Sequence, residues 1–402
     1  MGTRQTTLTA SQPPWLMGRP AALWLQALAL LTFMAASSAP TPLYSIYREH
    51  WGFSASTLTI IFGVYAIFLL LALLVLGSVS DHIGRRPVIA SALALDAVSM
   101  VVFMTASAVP MLIAARIVQG VATGAATSAL TAGLMDLDSR RSPMINSVAP
   151  MIGLAVGAFG ASILVQFAPA PMQLVYVVLL VVLVLQALAA CFMPETVVRR
   201  PGVLAAMLPT VAVPRHAWRV LLLIAPMDVA GWALGGFYFS LGPTLIAQVT
   251  GVHDPVVGGV MVAILTLTAA AVVVVLRAWT PQRMLVVGAS SLALGVATTL
   301  GGVHGSAMWL FFLGTALSGL GFGLGFLGAL RTLLPVAQPH ERAGLMAAFY
   351  IMNYLAFCLP AVLAGVLTNV IGLAAASDYY GAALIVLALM ALIGGRLFPI
   401  GK

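Results

Sequence analysis

Twelve long apolar stretches account for most of the sequence, and they constrain its fold more than any other feature. They cover residues 21–46, 56–79, 87–107, 109–134, 143–167, 171–193, 219–247, 255–276, 283–303, 306–334, 342–370 and 377–398. Crossing the roughly 30 Å hydrocarbon core of a bilayer takes about 20 helical residues, and lipid offers no hydrogen bonds to the backbone. The sequence therefore predicts an all-α multi-pass membrane protein with twelve transmembrane helices, since the alternating strands of a membrane barrel are not found.

Composition supports a membrane protein independently of the span count. Hydrophobic residues make up 62% of the chain and charged residues only 7%, which excludes an ordinary soluble domain. The net charge of +8 would suggest nucleic acid as a partner of a soluble protein, but here the basic residues fall in short loops between spans. The expected surroundings are therefore a lipid bilayer, with no nucleic acid.

The placement of the basic residues predicts the orientation. With an even number of spans both termini share one side, and only Arg48 falls on the opposite side. The terminal side carries Arg4, Arg19, Arg85, Arg86, Arg140, Arg141, Arg199, Arg200, Arg215, Arg219, Arg277, Arg283, Arg331, Arg342, Arg396 and Lys402. We expect both termini to be cytoplasmic in a cell membrane, the inner membrane of a bacterium, since the scarcity of lysine beside abundant Ala, Gly and Arg suggests a GC-rich bacterial genome.

The polar interruption at residues 194–219 divides the chain into halves. It predicts a cytoplasmic tail at 1–20, a six-helix bundle at 21–193, a central cytoplasmic loop at 194–218, a second six-helix bundle at 219–398 and a cytoplasmic end at 399–402. An alternative for the first stretch is a signal peptide cleaved after small residues near 35–39, which would leave eleven spans. Two six-helix halves related by a pseudo-twofold axis place a substrate site at their interface near the bilayer midplane.

A charged, glycine-punctuated loop joins the second and third spans. Its pattern G-x-x-x-D-x-x-G-R-R-P consists of Gly77, Asp81, Gly84, Arg85, Arg86 and Pro87. The chain thereby resembles the major facilitator superfamily of secondary transporters, although His82 stands where an arginine is more usual. The resemblance implies a conformational latch, in which Asp81 faces the start of the eleventh span at 341–344 and Arg85 pairs with Asp136 or Asp138. The alternative is a solvated basic loop.

A second motif lies in the fourth span. Arg116, Gln119, Gly120 and Gly124 form R-x-x-x-G-x-x-x-G with a glutamine inside it. It is similar to an element of twelve-span drug:proton antiporters, in which the matching arginine is tied to proton coupling. Arg116 lies roughly 9 Å into the membrane at about 1.5 Å per residue and should find a partner in the bundle interior. The alternative is an arginine that snorkels to the interface.

Two acids lie clearly inside spans. Asp96 and Asp228 each sit nine residues from a span end, roughly 14 Å deep. A charged carboxylate is costly at that depth, so both are candidates to load and release a proton, with Asp228 favoured because Trp232 and several glycines follow it. The alternative is a permanently protonated structural group.

Polar residues at helical spacing mark candidate faces of the substrate cavity. One set is Ser37, Thr41 and Tyr44 in the first span, and the other is Tyr350, Asn353 and Tyr354 in the eleventh. Gln119, Trp232 and Tyr238 complete the candidate cavity residues, and the glycine-rich segment 231–243 predicts a bend in the seventh span. Such stripes can also serve only to hold helices together.

Two departures from the drug:proton antiporter pattern leave the direction of transport open. Ala158 stands where the fifth-span motif has proline, although Gly153 and Gly157 keep the first spacing. The segment 277–283, which would repeat the hinge loop in the second half, lacks both the acid and the Gly-Arg pair.

These observations favour a transporter driven by a proton gradient, without cofactor or metal. No G-x-x-x-x-G-K-[ST] loop is present to bind a nucleotide, and Cys191 and Cys358 are interpreted as packing residues. We expect a monomer that exports a lipophilic or cationic drug-like molecule or metabolite by antiport, its partners being that small molecule and protons. Proton-coupled uptake of a small polar nutrient is the alternative, a transport-dead sensor is a remote one, and an enzyme is not expected.

Overall fold

The computed structural model of the protein describes residues 17–252 and 254–397. Twelve helices or helix pairs in this part of the chain are long and apolar enough to cross a membrane, which confirms the predicted all-α fold. Most of the predicted tail and the whole C-terminal end at 399–402 lie outside the described residues.

The first half of the chain contains eight helices. They are α1 Arg19–Ser38, α2 Leu43–Trp51, α3 Ala55–Leu76, α4 Ser80–Ile83, α5 Arg85–Met104, α6 Val109–Leu137, α7 Ser142–Phe167 and α8 Pro171–Ala190. The connector between the halves holds the short helix α9, Val203–Ala206.

The second half contains seven. They are α10 Arg215–Ser240, α11 Gly242–Thr250, α12 Pro255–Val275, α13 Pro281–His304, α14 Met308–Leu333, α15 Arg342–Ile371 and α16 Leu373–Leu397, with a 3-10 turn at Leu334–Val336. Several begin at a proline or under a side-chain cap: Asp254 accepts the amide of Val256 at 2.8 Å, and Ser54 accepts that of Thr57 at 3.2 Å. We call the end of the bundle that carries α4 and the connector the basic end, and the opposite end the far end.

Two spans are interrupted. The first is the span predicted at 21–46, which the structure places at Arg19–Trp51 and builds from α1 followed by α2, with Pro40 and Pro42 in the turn between them. Ser37 therefore lies in α1, Thr41 in the turn and Tyr44 in α2. The bend predicted in the seventh span is present, because α10 ends at Ser240 and α11 begins at Gly242.

The two halves contact each other at the far end. Phe62 of α3 packs on Phe357 of α15 with ring centroids 4.9 Å apart, and Asn369 of α15 donates to Ser56 Oγ at 2.9 Å. Small residues let the helices approach closely, as in other membrane bundles. A methyl group at Gly63 would lie 3.1 Å from Val362 and 3.7 Å from Cβ of Cys358.

A second seam joins α7 to α12 at the same end. A methyl group at Gly259 of α12 would lie 2.6 Å from Cβ of Ser162 and 3.0 Å from the Ala158 carbonyl. Cys358 is buried beside the first seam, as expected of a packing residue, whereas Cys191 is exposed after α8, so the packing interpretation is wrong for Cys191.

Candidate functional site

A hydrogen-bonded line in the second half links a carboxylate to an indole. Asp228 of α10 is 1% exposed. The amide nitrogen of Asn353 on α15 donates to Asp228 Oδ2 and, at 3.0 Å, to the Phe349 carbonyl. The amide oxygen of Asn353 accepts from Trp232 Nε1 at 3.2 Å, in the amide orientation that satisfies every partner. Asp228 Oδ1 has no hydrogen-bond partner.

Aromatic rings surround this line. The Trp232 ring lies 5.4 Å from that of Tyr354 and 5.8 Å from that of Phe357, measured between centroids. Phe326 and Phe322 meet the same indole edge-on at 5.9 Å and 6.2 Å. The site therefore combines one carboxylate, with one oxygen free, and a set of ring faces and edges.

In the first half the buried polar group is built on Arg116 of α6, which is 1% exposed. Its Nε donates to Tyr44 Oη at 2.9 Å, and Nη2 donates to the same hydroxyl. Its Nη1 donates to the Ser37 carbonyl at 2.9 Å and to Gln119 Oε1 at 2.6 Å. Three rings stack around the guanidinium, with Tyr65 nearest at 5.2 Å. Arg116 thus faces the bundle interior, and the snorkelling alternative is wrong.

Asp96 of α5 is close to this group but not paired with it. The carboxylate is fully buried, and Oδ1 accepts from Ser99 Oγ at 2.9 Å. Oδ2 has no partner. Among the described residues no ion pair joins Asp96 to Arg116, although the two interact electrostatically. Asp96 therefore has a free oxygen near a fixed positive charge.

The two polar groups approach each other through tyrosines. Tyr65 of α3 stacks on Arg116, and Tyr354 of α15 packs at a tilt against Trp232 and lies near Tyr65. Tyr350 lies one helical turn from Tyr354 on the same helix. Tyr238 is elsewhere: its hydroxyl lies 3.2 Å from Thr299 Oγ1 and faces α13 inside the second half. The structure thus separates Tyr238 from the other predicted cavity residues.

A charge cluster occupies the basic end. Arg85 Nη1 pairs with Asp81 Oδ1 at 2.5 Å, and Arg85 Nε pairs with Asp136 Oδ2 at 3.2 Å. Of the two partners predicted for Arg85, Asp136 is therefore the one in contact. The Asp136 carboxylate also accepts from Thr196 Oγ1 at 3.0 Å, and its backbone carbonyl accepts from Arg19 at 2.8 Å. The cluster ties the hinge loop, α6, the connector and α1 together within the first half.

Glu195 completes this cluster, and it was not among the residues predicted from the sequence. Its Oε1 accepts the backbone amide of Arg85 at 2.8 Å, and Oε2 accepts that of Arg86 at 3.2 Å. These are free amides in the first turn of α5, where a carboxylate is favoured. The signal was present, because Glu195 is one of few acids at the basic end and directly follows the sixth span. Gly77 ends α3 and Gly84 begins α5 with φ +108°, so the two glycines bracket the loop.

Two latch residues behave differently from the prediction. Asp81 is about half exposed and pairs with Arg85. In the described part of the chain, Asp81 makes no polar contact with the start of α15. Gly344 instead accepts from the amide of Ala212 in the connector at 3.4 Å. The physical reason is that the halves meet at the far end. Asp138 lies outside the Arg85 pair: its carboxylate accepts the backbone amides of Arg140 and Arg141, which lower the pKa of Asp138.

A larger groove is not the site. About 330 Å³ of space opens between α1, α7 and α8, with walls that include Ala35, Val156 and Leu179. The residues lining it are apolar, and several face outward from the bundle. Within residues 17–252 and 254–397 no group of His, Cys, Asp or Glu side chains could hold a metal ion.

Comparisons with known proteins agree with this architecture. No curated protein sequence matches the chain. A crystal structure of nucleoside transporter NupG, in a mutant form, superposes with a TM-score of 0.68 at 16% identity, covering 93% of this chain and 99% of that one. A crystal structure of the human organic anion transporter MFSD10 (TETRAN) gives 0.64 at 19% identity, covering 94% and 100%. The sequence profile of the Major Facilitator Superfamily matches residues 27–297. With this profile match and twelve candidate spans, the chain belongs to the major facilitator superfamily of membrane transporters.

Proposed function

We propose that the protein is a proton-coupled antiporter that exports a lipophilic or cationic drug-like molecule or metabolite by alternating access. The observation that carries this proposal is Asp228, a buried carboxylate with one unpartnered oxygen that Asn353 links to an indole packed among aromatic rings. Ring faces attract organic cations, and a carboxylate at this depth is stable when neutralised by a proton or by a cationic solute. One group can then bind the two in turn.

The first half supports the same proposal. Asp96 supplies a second candidate proton carrier, because Oδ2 is free and Arg116 supplies a nearby positive charge. Four of the five donors of Arg116 already meet protein acceptors, which leaves little of the guanidinium for an anionic solute. A neutral or cationic substrate therefore fits better than an organic anion, the substrate class in the name of MFSD10.

Closure of the far end suits alternating access. The seams between α3 and α15 and between α7 and α12 join the halves at the far end through packed small residues, the ring contact of Phe62 with Phe357 and a few polar contacts. Rocking of one half on the other would exchange this seal for one at the basic end, where Asp81 and the start of α15 would meet as the latch. We place the basic end in the cytoplasm of a bacterial cell and expect one copy of the chain to suffice.

The test is transport in liposomes that contain a pH-sensitive dye. Addition of a lipophilic cation should move protons in the opposite direction, and Asp228→Asn should abolish this movement. Asp96→Asn should reduce it. The matched control is Asp378→Asn, which removes a carboxylate bonded to His304 at 2.9 Å at the far end and should leave the signal unchanged.

Other outcomes contradict the proposal in distinct ways. Proton movement in the same direction as a nucleoside, sugar or amino acid would establish uptake by symport. Solute binding without counterflow would indicate a sensor. A full signal in Asp228→Asn would exclude Asp228 as the coupling group.

A further inference from the structure

The break between α1 and α2 leaves two backbone carbonyls without their helical donors. In an α-helix the carbonyl of residue i accepts the amide of residue i+4. The partner of the Ala36 carbonyl would be Pro40, which has no N–H. The partner of the Ser37 carbonyl would be Thr41, but its amide bonds to Ser38 instead, at 3.0 Å.

Two side chains of α6 supply the missing donors. Gln119 Nε2 donates to the Ala36 carbonyl at 3.0 Å, and Arg116 Nη1 donates to the Ser37 carbonyl at 2.9 Å. Arg116 and Gln119 also bond to each other at 2.6 Å, so each fixes the rotamer of the other. Within the membrane no water replaces such donors, and an unsatisfied carbonyl is unfavourable there.

Arg116 also holds the helix on the other side of the break. Its Nε and Nη2 both donate to the hydroxyl of Tyr44, in the first turn of α2. A second bond fixes α2 further along, where Tyr47 Oη donates to Tyr176 Oη of α8 at 3.1 Å. One guanidinium therefore spans the two pieces of the first transmembrane segment.

We propose that Arg116 and Gln119 form a clasp that stands in for the backbone hydrogen bonds removed by Pro40, and that release of Tyr44 from Arg116 frees α2 to move relative to α1. The clasp makes Arg116 a positioning residue at a built hinge, whichever solute the protein carries. It also explains why a buried arginine here needs no carboxylate partner, since its acceptors are one backbone carbonyl, a side-chain amide and a hydroxyl.

A double-mutant cycle tests whether the Gln119 side chain replaces the backbone hydrogen bond that Pro40 removes. Pro40→Ala restores an amide that can reach the Ala36 carbonyl, which makes the Gln119 donor redundant. Gln119→Leu should lower the Tm of the purified protein, and in the Pro40→Ala background it should lower the Tm by less than half as much.

The matched control for this cycle is Gln186→Leu. Gln186 is also buried and also donates to α1, to Thr32 Oγ1 at 2.9 Å, but away from the break. Its effect on the Tm should be the same in both backgrounds. An undiminished effect of Gln119→Leu in the Pro40→Ala background would overturn the proposal.

A labelling experiment tests the hinge separately and does not depend on Pro40→Ala folding well. Ser45→Cys places a reporter thiol on α2 in a background in which Cys191 and Cys358 are replaced by alanine. Tyr44→Phe should speed maleimide labelling of this thiol by roughly threefold to tenfold, the range expected for one interhelical hydrogen bond in a membrane protein. Arg116→Lys should do the same, because a point charge cannot reach α1 and α2 together. Unchanged labelling in both variants would show that α2 is held by other contacts and would overturn the hinge.

Discussion

Gly365 of α15 lies directly against Thr59 of α3, so closely that a methyl group on Gly365 would overlap the threonine hydroxyl and lie 2.7 Å from its methyl carbon. The contact belongs to the far-end seam between the halves, and it exists only because position 365 has no side chain. Overpacking of such a contact typically costs about 1–3 kcal/mol. The two helices can pack this closely at this point because residue 365 is a glycine.

Gly365→Ala should therefore open the far end. We expect the population with separated far ends to rise roughly fivefold or more, which is the shift that 1 kcal/mol produces. Spin labels on Glu49→Cys and Asp378→Cys, in a background without Cys191 and Cys358, would report the distance. Gly301→Ala is the control, because a methyl group on this glycine of α13 meets nothing within 4 Å. Equal distance distributions in the two variants would contradict the prediction.

Gly84→Ala should destabilise the basic end more than strain alone explains. Gly84 has φ +108°, and a methyl group there would lie 2.8 Å from Cδ of Glu195. Gly202 also has a positive φ, +95°, but its ψ of 19° lies in the milder left-handed region, whereas the ψ of Gly84 is 153°. A methyl group on Gly202 meets nothing within 4 Å. We expect a loss of about 1–3 kcal/mol from backbone strain in both, and a further loss only in Gly84→Ala. Thermal unfolding in detergent measures the difference.

Glu195→Ala separates the two causes. In that background the clash with residue 84 is gone, so Gly84→Ala should lose less stability than it does beside Glu195, and the remaining loss is its backbone strain. A strictly additive double variant would show that Glu195 and position 84 do not interact.

Asn353→Leu should abolish coupling more completely than Trp232→Phe. With leucine at this position, Oδ2 of Asp228 loses its donor and Nε1 of Trp232 loses its acceptor. A buried polar group without a partner costs about 1–3 kcal/mol. Trp232→Phe removes only the indole donor and keeps a ring. Substrate-driven proton movement should fall about tenfold or more in the first variant and less in the second. Asn146→Leu, whose amide donates to the Thr131 carbonyl at 3.4 Å, is the control in the first half.

Asp138→Asn should leave the pH dependence of transport unchanged. The amides of Arg141 and Arg140 hold the pKa of Asp138 below its ordinary value. A carboxyl group whose pKa is lower in the folded protein stabilises the fold at pH values above its unfolded pKa of about 3.9. That stabilisation is lost as the pH falls through the folded pKa. Asp138 therefore stays charged between about pH 5 and pH 8. A shifted transport profile in that range in Asp138→Asn would contradict this assignment.

Much of the fold could be predicted because a helix that crosses lipid must be a long apolar run in the sequence. The sequence also identified Arg116, Asp96 and Asp228 as buried, since ionisable residues are rare at that depth. The broken first span was missed although Pro40 and Pro42 stood in the sequence, because proline within a membrane helix is tolerated when side chains replace its lost hydrogen bond. Those side chains, on α6, are distant in sequence.

Other features could not be predicted because they depend on which ends of the halves meet. The partner of Asp81 was assigned to α15 from the family pattern, whereas closure at the far end leaves Asp81 with Arg85. Tyr238 shares a helix with Asp228 but turns toward Thr299, a direction that spacing along α10 alone does not reveal. Glu195 required knowledge that the sixth span ends beside the start of α5.

The hydrogen-bonded line from Asp228 through Asn353 to Trp232 connects the carboxylate to a fluorescent side chain. A change in the hydrogen bond between Asn353 and Oδ2 also changes the hydrogen bond between Asn353 and the indole. Indole emission responds to that second bond. The chain has seven tryptophans, so replacing the other six with phenylalanine would leave Trp232 as the sole emitter. Proton loading could then be followed in real time as a spectral change in the unlabelled protein.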